Sequence, residues 1–117
     1  MIEDNEQNAL LIKRVLGARQ HQVFHASEGE TGLKMAITEG PELILVDLGL
    51  PDIDGQTLIS LMKRMPQLKG VPLVVVTAWP ADTAREMVMA YGCDGFISKP
   101  INTREFPDQI NSFLSKA

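Results

Sequence analysis

Apolar positions along the chain fall into short continuous runs that alternate with stretches of helical period. Leu11, Ile12, Val15 and Leu16 share one stripe at helical spacing, so a helix is predicted over 5–18, with Asp4 or Asn5 as its cap. Residues 22–26 form a short strand candidate. Leu33, Ala36 and Ile37 share a face of a helix predicted over 30–39, which Gly40-Pro41 ends. An unbroken apolar strand is predicted over 43–47. Leu58, Leu61, Met62 and Met65 define a helix over 57–65, stopped by Pro66. The run 71–77 is the most β-branched in the chain and the firmest strand. A helix over 81–91 ends at Gly92, a short strand covers 95–98, and a last helix covers 103–115, with Phe106, Ile110, Phe113 and Leu114 inward. Pro107 removes a backbone bond one turn into that helix, so the helix starts later than Thr103 or its first turn is distorted.

Strands that are apolar throughout, rather than at every second residue, are buried on both faces. Their alternation with helices predicts an α/β fold: a parallel sheet covered on both sides, in a single domain spanning residues 1–117. A first strand of ordinary length, about five residues, needs several positions before Glu3, and only Met1 and Ile2 stand there. Either a shortened first strand still places Asp4, or the start trims real sequence.

Charge and composition narrow the functions. A net charge of −4 argues against non-specific binding to nucleic acid or to an anionic membrane, both of which need a cationic surface. No apolar run approaches the roughly 20 residues of a bilayer span, and no basic-plus-apolar leader precedes Glu3. Cys93 is the only cysteine, which rules out an intrachain disulfide and fits a reducing, cytoplasmic setting. Cys93 is expected to be a small residue near a helix end. His21 and His25 have no ligand partner at metal-binding spacing, and the methionines read as core or flexible contact residues.

The candidate chemistry sits at strand ends. Glu3 and Asp4 follow the first apolar residues, Asp47 ends the run 43–47, Thr77 ends the run 71–77, and Lys99 follows Gly95-Phe96-Ile97-Ser98 just before Pro100. Taken singly, Glu3 and Asp4 are ordinary helix-capping acids, Asp47 a loop acid and Lys99 a solvated lysine. Parallel strands, however, bring their C-terminal ends to one sheet edge, where open α/β sheets place their ligands. Three carboxylates there repel one another unless a cation neutralises them, and hard oxygen donors with room for water suit Mg²⁺. A lysine and a hydroxyl at the same edge can hold phosphoryl oxygens.

Five stretches carry a family resemblance in the right order and spacing: Glu-Asp-Asn at 3–5, Leu-Ile-Leu-Val-Asp at 43–47, Leu-Pro-Asp-Ile-Asp-Gly at 50–55, Val-Val-Val-Thr-Ala at 74–78 and Ile-Ser-Lys-Pro at 97–100. Together they resemble a response-regulator receiver domain over essentially the whole chain. The stretch 92–101 looks most like single-domain cell-cycle receivers and receivers of hybrid histidine kinases. The resemblance implies a flavodoxin-like (CheY-like) doubly wound sheet of five parallel strands, order 2-1-3-4-5, with five helices and here a truncated first strand. It implies that Asp47 is the phosphoacceptor, Thr77 the switch hydroxyl, Lys99 the phosphoryl contact and Phe96 the switch aromatic. It further implies a Mg²⁺ site (Mn²⁺ possible) of Glu3, Asp4, Asp47 and the Gly49 backbone carbonyl, and a cis Lys99–Pro100 bond.

The implied activity is two-component signalling. The chain catalyses its own phosphorylation from a histidine kinase or histidine phosphotransfer protein, and its own slow dephosphorylation. It controls a downstream protein through the surface of helix 81–91, strand 95–98 and helix 103–115, as a monomer or weak phosphorylation-dependent dimer. Gly49 offers no side chain to orient an attacking water and Trp79 is large and apolar, so a long-lived phosphoryl group is expected. The alternatives are a pseudo-receiver, meaning a phosphorylation-independent interaction module, and an FMN-binding flavodoxin. The intact site set speaks against the first, and the lack of a Ser/Thr/Gly-rich phosphate loop against the second.

Overall fold

The structure, a computed structural model, describes residues 1–114. In chain order the elements are α1 (Glu6–Gly17), α2 (Gly29–Glu39), β1 (Ile44–Asp47), α3 (Gly55–Lys63), a 3-10 turn (Pro66–Leu68), β2 (Leu73–Thr77), α4 (Ala81–Tyr91), β3 (Gly95–Ser98) and α5 (Phe106–Leu114). All strand pairs are parallel: Ile44 stands against Leu73 and Asp47 against Val76, while Val74 stands against Gly95 and Thr77 against Ser98.

The five expected sheet positions are present, three as strands and the first two shortened to single bridging residues. Ile2 bridges Val46 on one side and Ala26 on the other, both in parallel sense. The spatial order is therefore residue 26, residue 2, β1, β2, β3, which preserves the order 2-1-3-4-5. The predicted strand over 22–26 shrinks to Ala26 because its only neighbour in the sheet is the short segment at Ile2. Four backbone bonds hold that segment: Ile2 N to Leu45 O at 2.8 Å, Asp47 N to Ile2 O at 2.9 Å, Glu3 N to Ala26 O at 3.0 Å and Ala26 N to Met1 O at 2.9 Å.

β1 and β2 are buried at every position. Alternate residues face opposite cores, as the pleat requires. Ile44, Val46, Leu73 and Val75 pack with Ala36, Leu58, Ile59, Met62 and Met87 from α2, α3 and α4. Leu45, Val74, Val76 and Ile97 pack with Ile12, Leu16, Phe106 and Ile110 from α1 and α5. β3 is the edge strand and is only partly covered.

Several element ends differ from the sequence-based expectation. Of the two predicted caps it is Asn5 that caps α1, as expected, accepting from Asn8 N at 2.9 Å. α3 starts at Gly55, two residues earlier than expected, and Met65 falls outside it because Pro66 opens a separate 3-10 turn. α5 starts at Phe106, which puts Pro107 in the first turn, where its missing N–H costs nothing. Asn102 organises the entry, its side chain accepting from Arg104 N at 2.9 Å and Glu105 N at 3.2 Å. Residue 115, predicted as the end of that helix, lies outside the described residues. Lys99–Pro100 is cis.

Candidate functional site

β1, β2 and β3 run in parallel, so Asp47, Thr77 and Lys99 emerge along one edge. Lys99 N donates to Thr77 O at 2.8 Å, which carries the ladder one step past β3. Glu3 and Asp4 arrive at the same edge from Ile2. One oxygen from each of Glu3, Asp4 and Asp47 lies within 4.8 Å of the others. Glu3 and Asp47 are buried, whereas Asp4 faces solvent. Lys99 Nζ stands 3.1 Å from Glu3 Oε1 and 3.3 Å from Asp47 Oδ2.

Burial drives the Glu3 carboxyl up to about 7, and the adjoining Asp47 carboxyl adds to this against the pull of Lys99. Burial pushes Asp47 up as well. The adjoining Glu3 carboxyl, the Gly49 N–H and the Lys99 charge outweigh it and hold Asp47 below the ordinary carboxylate range. Burial works against the Lys99 charge, but the two carboxylates prevail and hold its ammonium above the usual range. Glu3 Oε1 is buried and lies within ion-pair distance of Lys99, yet no donor meets it in hydrogen-bond geometry among the described residues. A buried, underserved carboxylate oxygen facing two further carboxylates fits a hard divalent cation.

The remaining predicted residues fall around this cluster. Gly49 N donates to Asp47 Oδ1 at 3.2 Å. Thr77 is buried, and its hydroxyl accepts from Trp79 N at 3.0 Å. Trp79 packs against the α2–α4 core. Phe96 is half-buried in β3 and also lines a shallow groove with Phe113, Glu105 and Asp108 from the α5 region. Cys93 is half-buried, with its thiol pushed up to about 11 by burial, as befits a structural residue.

Two contributing residues were not singled out as site residues from the sequence. His25 Nε2 donates to Glu3 O at 2.8 Å and so steadies the acid pair from the side. Asp52 accepts from Gly29 N at 2.8 Å and Glu30 N at 3.1 Å, joining the loop after Asp47 to α2. Asp52 lies inside the Leu-Pro-Asp-Ile-Asp-Gly stretch. Nothing local marks His25, because its partner is distant in the chain.

A parallel sheet wound on both faces, with acids, a hydroxyl and a lysine at its C-terminal edge, defines the receiver class. The family model for the response regulator receiver domain matches residues 1–111, and the chain belongs to that family. It is a CheY-like receiver of the two-component type. The polar-differentiation response regulator DivK of Brucella ovis is 32% identical over 117 residues, covering 100% of this chain and 95% of its own. A crystal structure of a response regulator from Chloroflexus aurantiacus J-10-fl superposes with a TM-score of 0.90 at 25% identity, covering 97% of this chain and 93% of that one. The receiver domain of sensor histidine kinase PA1611 from Pseudomonas aeruginosa PAO1 was solved with a magnesium ion coordinated in its active-site cleft. It superposes with a TM-score of 0.87 at 23% identity over 97% of this chain and 93% of that one, a likeness of fold.

Proposed function

We propose that this receiver accepts a phosphoryl group on Asp47 from a phosphohistidine of a histidine kinase or phosphotransfer protein, in a Mg²⁺-dependent reaction. The observation that carries the reading is the cluster of Glu3, Asp4 and Asp47 oxygens within 4.8 Å, with Lys99 Nζ at 3.3 Å from the Asp47 carboxylate. Glu3, Asp4, Asp47 and the Gly49 carbonyl are the groups to hold the ion, and the ion supplies charge neutralisation at the phosphoryl oxygens. An Asp47 carboxylate oxygen attacks phosphorus, the bond from phosphorus to the histidine nitrogen breaks, and the imidazole leaves with that electron pair. The low pKa of Asp47 keeps it an anion, as a nucleophile requires. Lys99 offers its ammonium to an equatorial oxygen, drawn from its pairing with the carboxylates.

Once Asp47 carries the group, Thr77 turns its hydroxyl toward it, and Phe96 moves into the space released. The surface formed by α4, β3 and α5 changes with Phe96 and passes the state to a partner protein. Receivers are two-state elements, and one covalent dianion shifts the population.

The test is phosphorylation by acetyl phosphate, or activation by beryllofluoride, with and without Mg²⁺. A Mg²⁺-dependent mass increase of one phosphoryl group, absent in Asp47→Asn, is expected. A response that survives Asp47→Asn, or no response at all, would favour a phosphorylation-independent interaction module.

A further inference from the structure

Helix α2 is capped from outside its own sequence. Its N-cap residue Glu28 has extended backbone dihedrals but supplies no side-chain acceptor to the first turn. Asp52, from the loop that follows Asp47, does this instead. Its two oxygens take Gly29 N at 2.8 Å and Glu30 N at 3.1 Å. These amides are orphan donors of the first turn, at the positive end of the helix dipole, where a carboxylate is favoured. The two N–H groups hold the Asp52 carboxyl below the ordinary range although it is exposed.

An apolar latch stands beside the polar one. A Cβ at Gly29 would collide with Ile53 Cγ2 and lie 3.2 Å from Leu58 Cδ2, so the loop closes onto α2 because residue 29 has no side chain. The same loop carries Gly49, whose N–H reaches Asp47 Oδ1 at 3.2 Å. Buried Leu48, whose backbone lies close against Gly55, anchors the start of the loop, but Gly49 itself is exposed, and apart from its chain neighbours the nearest atom to a Cβ there would be Asp47 Oδ1 at 3.9 Å.

We propose that Asp52 is a positioning residue, which by fastening the 48–54 loop to the N-terminus of α2 holds the Gly49 peptide in register beside Asp47. This rests on the reading of that site as a cation-dependent phosphoacceptor. Asp52 does not touch the reacting atoms. It acts through the loop, and α2 thereby becomes part of the scaffold of the site.

The test separates the loop tether from simple helix capping. Asp52→Ala loses both. Adding Glu28→Ser gives α2 a local cap from its own N-cap position and restores only the capping. Two quantities are read on the full chain. One is Mg²⁺ affinity, by titration of Trp79 fluorescence. The other is amide exchange at Gly49 without Mg²⁺. Asp52→Ala is expected to weaken Mg²⁺ binding by about 10-fold, the low end for outer-shell partners, and to speed exchange at Gly49. In the double variant the melting temperature recovers while both loop readouts stay impaired. Unchanged Mg²⁺ affinity and Gly49 exchange in Asp52→Ala, or their full recovery in the double variant, would overturn the tether while leaving the phosphoacceptor reading intact. A wild-type chain that binds no Mg²⁺ would overturn both.

Discussion

Lys99 reaches across the sheet edge to place its ammonium between Glu3 and Asp47, at 3.1 Å and 3.3 Å. It is the one cation within ion-pair distance of these two acids among the described residues, and so it serves as their standing counter-charge. Lys99→Ala removes a donor aimed at the incoming phosphoryl group. Phosphorylation by acetyl phosphate is expected to slow by about 100-fold, the cost typical of one preorganised charge-stabilising donor. Mg²⁺ affinity, by contrast, is expected to hold or rise, because a competing positive charge is gone. A parallel fall in both quantities would show that Lys99 mainly props up the fold.

His25 holds the Glu3 carbonyl at 2.8 Å, beside an N-terminal segment with few strand bonds of its own. One net hydrogen bond is worth about 1 kcal/mol. His25→Ala is therefore expected to weaken Mg²⁺ binding by roughly 5-fold, that energy expressed as a ratio. Fluorescence titration checks this, and His25→Gln, which keeps a donor, should recover part of the loss.

Trp79 sends its backbone N–H to the Thr77 hydroxyl and rests its ring on the α2–α4 core. Trp79→Ala keeps the N–H but removes the ring that would shield the phosphorylated Asp47 from water. The phosphoryl group should be lost several-fold faster, followed as decay of the phosphorylated species by Phos-tag electrophoresis. An unchanged or slower decay would sink the shielding idea.

Asp52 has a folded-state pKa below its unfolded value, because two amides hydrogen-bond its charged form. A depressed carboxylate pKa contributes stability that is fully present above the unfolded value, near 4, and is lost as pH falls through the folded value. The stability difference between wild type and Asp52→Asn, from urea unfolding, should be flat from neutral pH down to about 4 and shrink below that. A difference that grows on acidification would contradict the carboxylate cap.

Much of this site was legible from residue types alone. Asp47, Thr77 and Lys99 each follow an apolar run, and a parallel sheet brings such positions to one edge whatever the loops do. The double-sided core was equally legible, since β1 and β2 carry no polar face before Asp47 and Thr77. The extent of the first two strands was not, because pairing depends on a partner's length: with Ile2 as the bridging residue in the first segment, only Ala26 joins the sheet, and Phe24 meets no more than the Met1 ammonium, 2.8 Å from its carbonyl oxygen.

The order of elements, the burial of the central strands and the chemical identity of the edge groups can all be read along the chain. These follow from hydrophobic period and strand polarity, which are local properties. How those groups perturb one another, and what holds them, depends on the folded arrangement. The raised Glu3 pKa, the Lys99 bridge, the His25 contact and the Asp52 cap on α2 all join residues at least 22 positions apart. Such contacts depend on distance and burial, which no local pattern encodes.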